Sequence, residues 1–154
     1  MDSRQGPPAG AQGSSKLPPL EAVADTNVVA YMVLRTPLFV EEVEPFWSSV
    51  SRALAPAHWR AEFANVVWGA CRAGLLAVAD ARTLLNRAAT FAITSIAVPE
   101  LWHGALSRSL DTGIAIYDTL FVELAVQQGC PLATFDKAVL RAFPEIAARP
   151  RDLL

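Results

Sequence analysis

Short apolar runs alternate with longer segments of helical period from Leu20 onward, and this alternation predicts an α/β fold. The run ending at Asp25 reads as a first strand over about 21–25, followed by a helix over about 27–35. Thr36 and Pro37 end that helix, because proline disfavours the α region in its predecessor. Apolar Phe39, Val40, Val43, Phe46, Trp47 and Val50 predict a second helix that solvates Glu41, Glu42 and Glu44. Ala53 to Ala55 reads as a weak strand, and a helix over about 58–73 stops at Gly74. Further helices are expected over about 80–92, 100–108 and 115–128, a strand over 93–98, a loop at Asp111, Thr112 and Gly113, and a strand over 131–134. Strands alternating with helices imply a mostly parallel sheet with helices on both faces.

The pattern is missing from residues 1–19, MDSRQGPPAGAQGSSKLPP, which are rich in Gly, Pro and Ser and predict a disordered tail before a single domain over 20–154. Hydrophobic residues make up 53% of the chain and charged residues 18%, an apolar excess that suggests a surface for a partner. No apolar run reaches the ~18 residues of a membrane span, and the N-terminus lacks a signal-peptide pattern, so a cytoplasmic protein without membrane contact is expected. Cys71 and Cys130 make no disulfide framework. The net charge of −2 argues against a basic coat but leaves nucleic acid open, since bound metal ions would themselves attract phosphate.

Four acids sit in apolar surroundings: Asp25 in AVADTNVVAY, Glu62 in WRAEFANVVW, Asp118 in IYDTLFVELA and Asp136 in LATFDKAVL. Gathering like charges in apolar surroundings is costly unless a cation compensates, so a divalent-metal site is the economical explanation. Asp25 and Asp136 follow strands, and in an open parallel sheet the ligand crevice lies outside the strands' carboxyl ends. Carboxylates without His or Cys favour Mg²⁺, or Mn²⁺, over Zn²⁺, and His58 and His103 are too sparse for a zinc site. Ordinary readings exist beside this one. Asp25 and Asn27 suit helix caps, Glu62 the edge of an apolar stripe, Asp118 a first helical turn, Asp136 a turn and Thr134 a strand. Glu123, five residues past Asp118, is expected in a solvated salt bridge, and His103, Trp47, Trp59, Trp68 and Trp102 in core or partner-interface packing.

An apolar strand ending in Asp-Thr-Asn, a helical Glu followed three residues later by Asn, the helix Tyr-Asp-Thr-Leu-Phe-Val-Glu-Leu-Ala and a strand ending in Thr-Phe-Asp together resemble the PIN domain, in particular the VapC-type toxins of bacterial toxin–antitoxin modules. The resemblance covers about 21–148. It implies a three-layer α/β/α sandwich and a Mg²⁺- or Mn²⁺-dependent endoribonuclease neutralised by a cognate antitoxin. The implied catalytic and metal-holding quartet is Asp25, Glu62, Asp118 and Asp136, with Asn27 and Thr134 as polar supports. Two features depart from the family's pattern: the long tail, and the scarcity of lysine, with only Lys16 and Lys137.

Two metals ~4 Å apart can activate water and stabilise the leaving oxygen of a phosphodiester. Asp25 suits a primary ligand, Asp118 and Asp136 ligands direct or through water, and Glu62 either a ligand or an orienter of the attacking water. The apolar excess suggests a homodimer and a groove for an antitoxin segment. Two alternatives remain: a catalytically silent PIN-like interaction module, and a haloacid-dehalogenase-type phosphatase. The phosphatase would want an Asp where Asn27 stands.

Overall fold

A computed structural model describes residues 17–154, and the tail expected over 1–19 lies for residues 1–16 outside them. Five strands form one parallel sheet: β1 (Leu20–Ala24), β2 (Val50–Pro56), β3 (Ile93–Ile96), β4 (Leu132–Ala133) and β5 (Ala147–Ala148). Their order is β3-β2-β1-β4-β5. The chain winds outward from β1 through β2 to β3, then returns to the other side of β1, so the topology switches between β1 and β4. Val23 pairs with Leu132 and Ala24 with Ala133, which brings Asp25 level with Thr134.

Among the described residues seven α-helices cover the sheet: α1 (Thr26–Val33), α2 (Val40–Ser49), α3 (Trp59–Arg72), α4 (Val78–Ala89), α5 (Trp102–Thr112), α6 (Ile116–Gln128) and α7 (Lys137–Ala142). The alternation of side chains along β1 divides the core into two layers. Ala22 and Ala24 join Val28, Val43, Phe46 and Ala133 on one side, and Val23 joins Leu54, Trp59, Phe63, Phe121 and Leu132 on the other. Both faces of the sheet are therefore buried, and the α/β/α sandwich expected from the sequence is the observed architecture. α6 is buried continuously from Thr119 to Ala125, as suits a helix apolar on nearly all sides.

Several boundaries differ from the sequence expectation. β2 runs over seven residues rather than three, because pairing with both β1 and β3 extends it. Asp111 and Thr112 belong to α5, whose end is set by Gly113 in the left-handed conformation at φ 75°. β5, only two residues long, was not expected at all. Among the described residues no helix is long and apolar enough to cross a membrane.

Candidate active site

Asp25 leaves the end of β1 at the N-cap position of α1, with extended backbone, yet its side chain makes no capping bond. Its Oδ2 instead accepts a hydrogen bond of 2.7 Å from the Thr134 hydroxyl and a longer one of 3.4 Å from Asn27 Nδ2. Asn27 Oδ1 accepts from the Phe135 backbone N–H at 3.3 Å, so Asn27 joins the ends of β1 and β4 rather than capping its helix. The Thr134 hydroxyl also accepts from the Asp136 N–H at 3.0 Å. Asn27 and Thr134 thus both contact Asp25, one from each side of the topological switch.

Glu62 projects from the first turn of α3, where Oε1 accepts from Thr26 Oγ1 at 2.8 Å and lies 3.4 Å from His58 Nε2. Asp136 caps α7, its Oδ1 accepting the N–H groups of Ala138 and Val139 at 2.8 and 2.9 Å. The ordinary turn role of Asp136 is therefore real, and it occupies only one carboxylate oxygen. Asp118 stands half-buried in the first turn of α6. In Glu62 and Asp136 one oxygen is tied to the protein and the other has no hydrogen-bond donor among the described residues.

All four acids line one cavity of about 650 Å³, with Thr26, Asn27, Tyr31, Asn65 and Tyr117 and the apolar Ala30, Ala61 and Val66 in its walls. Among the described residues no lysine, arginine or tryptophan lines it. A hollow of about 680 Å³ opens at the other end of the strands between Leu20, Ser49, Cys130 and Leu153, where Glu21 is the only carboxylate side chain among the described residues. Size alone does not single out the site; the convergence of acids does.

The charges in the acidic cavity repel. Asp25 is 7% exposed, and burial first, then Glu62 and Asp118, push its pKa from 3.8 to about 7 against the favourable Thr134 hydrogen bond. Asp118 is likewise raised, by burial first and then by Asp136 and Glu62, with His58 opposing. An all-oxygen donor set in which carboxylates destabilise one another suits a hard divalent cation. Among the described residues, however, no three His, Cys, Asp or Glu side chains close on a common point as a ready-made cage. That spacing fits Mg²⁺, which keeps several waters and takes one or two carboxylates directly, better than a dehydrated ion.

Sequence reasoning passed over Thr26 and His58, which hold Glu62, and Tyr31 and Tyr117, which wall the cavity. Thr26 had a visible signal, its place between Asp25 and Asn27 in the Asp-Thr-Asn triplet. Asn65 was visible only as part of a motif. Glu123 is ion-paired to Arg108 at 2.9 Å as expected, but its side chain is 11% exposed rather than solvated. α5 covers the face that the sequence left open to water, and Gly104 of α5 leaves the room for the Glu123 carboxylate.

The sequence matches the PIN domain family over residues 22–146. It is 31% identical over 137 residues to Ribonuclease VapC3 of Mycobacterium tuberculosis, covering 89% of this chain and 98% of that protein. The fold resembles PAE2754 from Pyrobaculum aerophilum with a TM-score of 0.68 at 18% identity, covering 87% and 92% of the two chains. A chain of a toxin-antitoxin complex from Klebsiella pneumoniae is similar with a TM-score of 0.56 at 14% identity, covering 84% and 97%. By family match and by relative, the chain belongs to the PIN domain family and stands with its VapC-type members.

Proposed function

We propose that the protein is a metal-dependent endoribonuclease, the toxin of a type II toxin–antitoxin pair, that hydrolyses RNA phosphodiester bonds in the acidic cavity. The observation that carries this reading is the convergence of Asp25, Glu62, Asp118 and Asp136 on one cavity at the topological switch. The ribonuclease relative, matched over nearly its whole length, supports the substrate class. The haloacid-dehalogenase alternative loses its ground, because Asn27 stands where a second Asp would be needed and the family match lies elsewhere.

Bound Mg²⁺, or Mn²⁺, would acidify the attacking water and neutralise charge on the phosphate. Asp25 and Asp118, whose charged forms are disfavoured first by burial and then by the neighbouring acids, are the ligands we assign first. Asp136 offers the oxygen that α7 leaves unused. Glu62 offers Oε2, either to the ion or to the attacking water. Thr134 and Asn27 orient Asp25, which keeps its carboxylate directed without blocking both oxygens.

The expected antitoxin and homodimer belong to the same reading. Trp102, Leu106 and Leu110 are exposed at four-residue intervals and form an apolar stripe along α5, the kind of surface that docks a helix or a second copy.

The test is cleavage of a structured RNA pool by the wild type and by Asp25→Asn, each with Mg²⁺, Mn²⁺ or EDTA. Cleavage confined to the wild type with metal is expected. Undiminished cleavage by Asp25→Asn, or by the wild type in EDTA, would overturn the assignment. A folded wild type that binds metal and cleaves nothing would favour the silent interaction module.

A further inference from the structure

We propose that His58 is a positioning residue for the acidic cavity, its Nε2 hydrogen-bonded to the Tyr117 carbonyl with the Glu62 carboxylate 3.4 Å from the same nitrogen, so that α3 and α6 present Glu62 and Asp118 at a fixed separation. The inference rests on the metal-site reading of the cavity and adds to it a residue outside the acidic quartet and its polar supports.

His58 precedes the first residue of α3, where the chain has just left β2. Its side chain makes no capping bond to its own helix and is only 13% exposed. The ring leans instead on α6, with centroids 5.1 Å from Phe121 at 60° and 6.0 Å from Tyr117. Nε2 lies 3.0 Å from the Tyr117 carbonyl oxygen and 3.4 Å from Glu62 Oε1.

Both partners of Nε2 are acceptors, so the ring proton belongs on Nε2, an assignment made from the partners rather than from an observed hydrogen. Nδ1 is buried with no partner among the described residues. A proton moved there would become a buried donor with nothing to receive it, and the Tyr117 carbonyl would lose its donor.

Two consequences follow for the site. Thr26 from α1 and His58 from the start of α3 address the same oxygen of Glu62, which turns Oε2 toward other work. Tyr117 immediately precedes Asp118, so holding its carbonyl fixes the first turn of α6 from which Asp118 projects. One imidazole therefore bridges the two helices that carry half of the quartet, which lie 36 and 93 residues after Thr26 and Asp25 in the chain but share a wall of the cavity.

The test separates donation from packing by replacing His58 with two side chains of similar length. His58→Gln can present an amide N–H near the Nε2 position, and His58→Met cannot. Mn²⁺ binding to the full chain is measured by calorimetric titration, alongside thermal melts, for both variants, the wild type and Asp25→Asn. Losing an outer contact that orients a ligand typically weakens metal binding by about 10-fold to 100-fold, so His58→Met is expected to lose at least about tenfold and His58→Gln to recover most of it. Asp25→Asn is expected to bind no Mn²⁺ in the cavity. If His58→Met melts as an unfolded chain, His58→Phe, which keeps the aromatic contact with Phe121, replaces it.

Wild-type affinity in the donor-less variant, with binding lost in Asp25→Asn, overturns the role of His58 and leaves the metal site standing. Equal losses in His58→Gln and His58→Met assign His58 to packing and overturn it as well. A wild type that binds no Mn²⁺, or binds it equally well without Asp25, removes the metal-site reading and this inference with it.

Discussion

The hydroxyl of Thr134 donates a 2.7 Å hydrogen bond to Asp25 Oδ2 across 109 positions of sequence, and the same oxygen accepts the N–H of Asp136 at 3.0 Å. One small side chain thereby connects two of the four acids. Thr134→Val keeps the shape and removes the bond. We expect metal affinity and cleavage to fall about 10-fold to 100-fold, as is usual when a partner orienting a metal ligand is lost. The cost in stability should be about 1–3 kcal/mol, because the Asp136 N–H loses its acceptor. Metal titration and a urea melt read the two effects separately, and a variant with intact affinity would show that Asp25 needs no orientation from β4.

Asp25 sets a pH dependence of stability in chelator. Its folded pKa of about 7 lies above the ordinary 3.8, so the folded state holds a proton that the unfolded state releases. The stability linked to that proton is complete below about pH 4 and is lost as the pH rises through about 7. Asp25→Asn cannot lose it. In EDTA the variant should therefore be more stable than the wild type at pH 8, by roughly 2–4 kcal/mol, and the advantage should vanish near pH 4. Denaturant melts at the two pH values check this, and a wild type that gains stability from pH 5 to pH 8 in EDTA would contradict it.

With saturating Mg²⁺ the ranking should reverse, because the ion stabilises only the folded wild type and does so in proportion to the logarithm of its concentration. A melting temperature of the wild type that ignores Mg²⁺ up to millimolar levels would count against a metal site of useful affinity.

Gly104 faces the Glu123 carboxylate so closely that a Cβ would overlap it. Glu123 cannot easily withdraw, since Arg108 holds Oε2 at 2.9 Å and Gln127 holds Oε1 at 3.0 Å. Alanine usually stabilises a helix by about 1 kcal/mol over glycine, yet Gly104→Ala should destabilise by roughly 1–3 kcal/mol through overpacking. The midpoint of a urea melt decides the sign. In the double variant Gly104→Ala, Glu123→Ala the penalty specific to Gly104→Ala should disappear.

The apolar stripe on α5 predicts self-association or capture of an antitoxin helix. Leu106→Glu leaves the core untouched, since Leu106 is 48% exposed, and should shift the protein toward monomer in light scattering. An unchanged mass and an unchanged antitoxin complex would assign the interface to another face.

Much of the fold was legible because its signals are local. The first strand, the helix stop at Gly129 and the acids at strand ends all follow from runs, caps and spacing. α5 was cut short because Asp111, Thr112 and Gly113 look like a loop, whereas the Thr112 hydroxyl bonds back to the Arg108 carbonyl at 2.7 Å and leaves only Gly113 to turn the chain. β5 has two residues and no period to detect, and its pairing with β4 is what makes it a strand. The Thr26–Glu62 and His58–Tyr117 contacts join residues 36 and 59 positions apart, which no spacing along the chain encodes; only the His58–Glu62 approach, four residues apart, follows a helical interval. The five-residue offset of Glu123 from Asp118 points it to water only on an isolated helix, and α5 packs on that face.

The adjacency of β1 and β4 at the centre of the sheet also orders how the cavity can form during synthesis. Within the domain Asp25 leaves the ribosome 109 residues before Thr134, so a chain halted between them carries the first carboxylate without the hydroxyl that bonds it and without Asp136. The four acids come together only when β4 slots in beside β1, a long-range closure of the kind that makes parallel sheets slow to form.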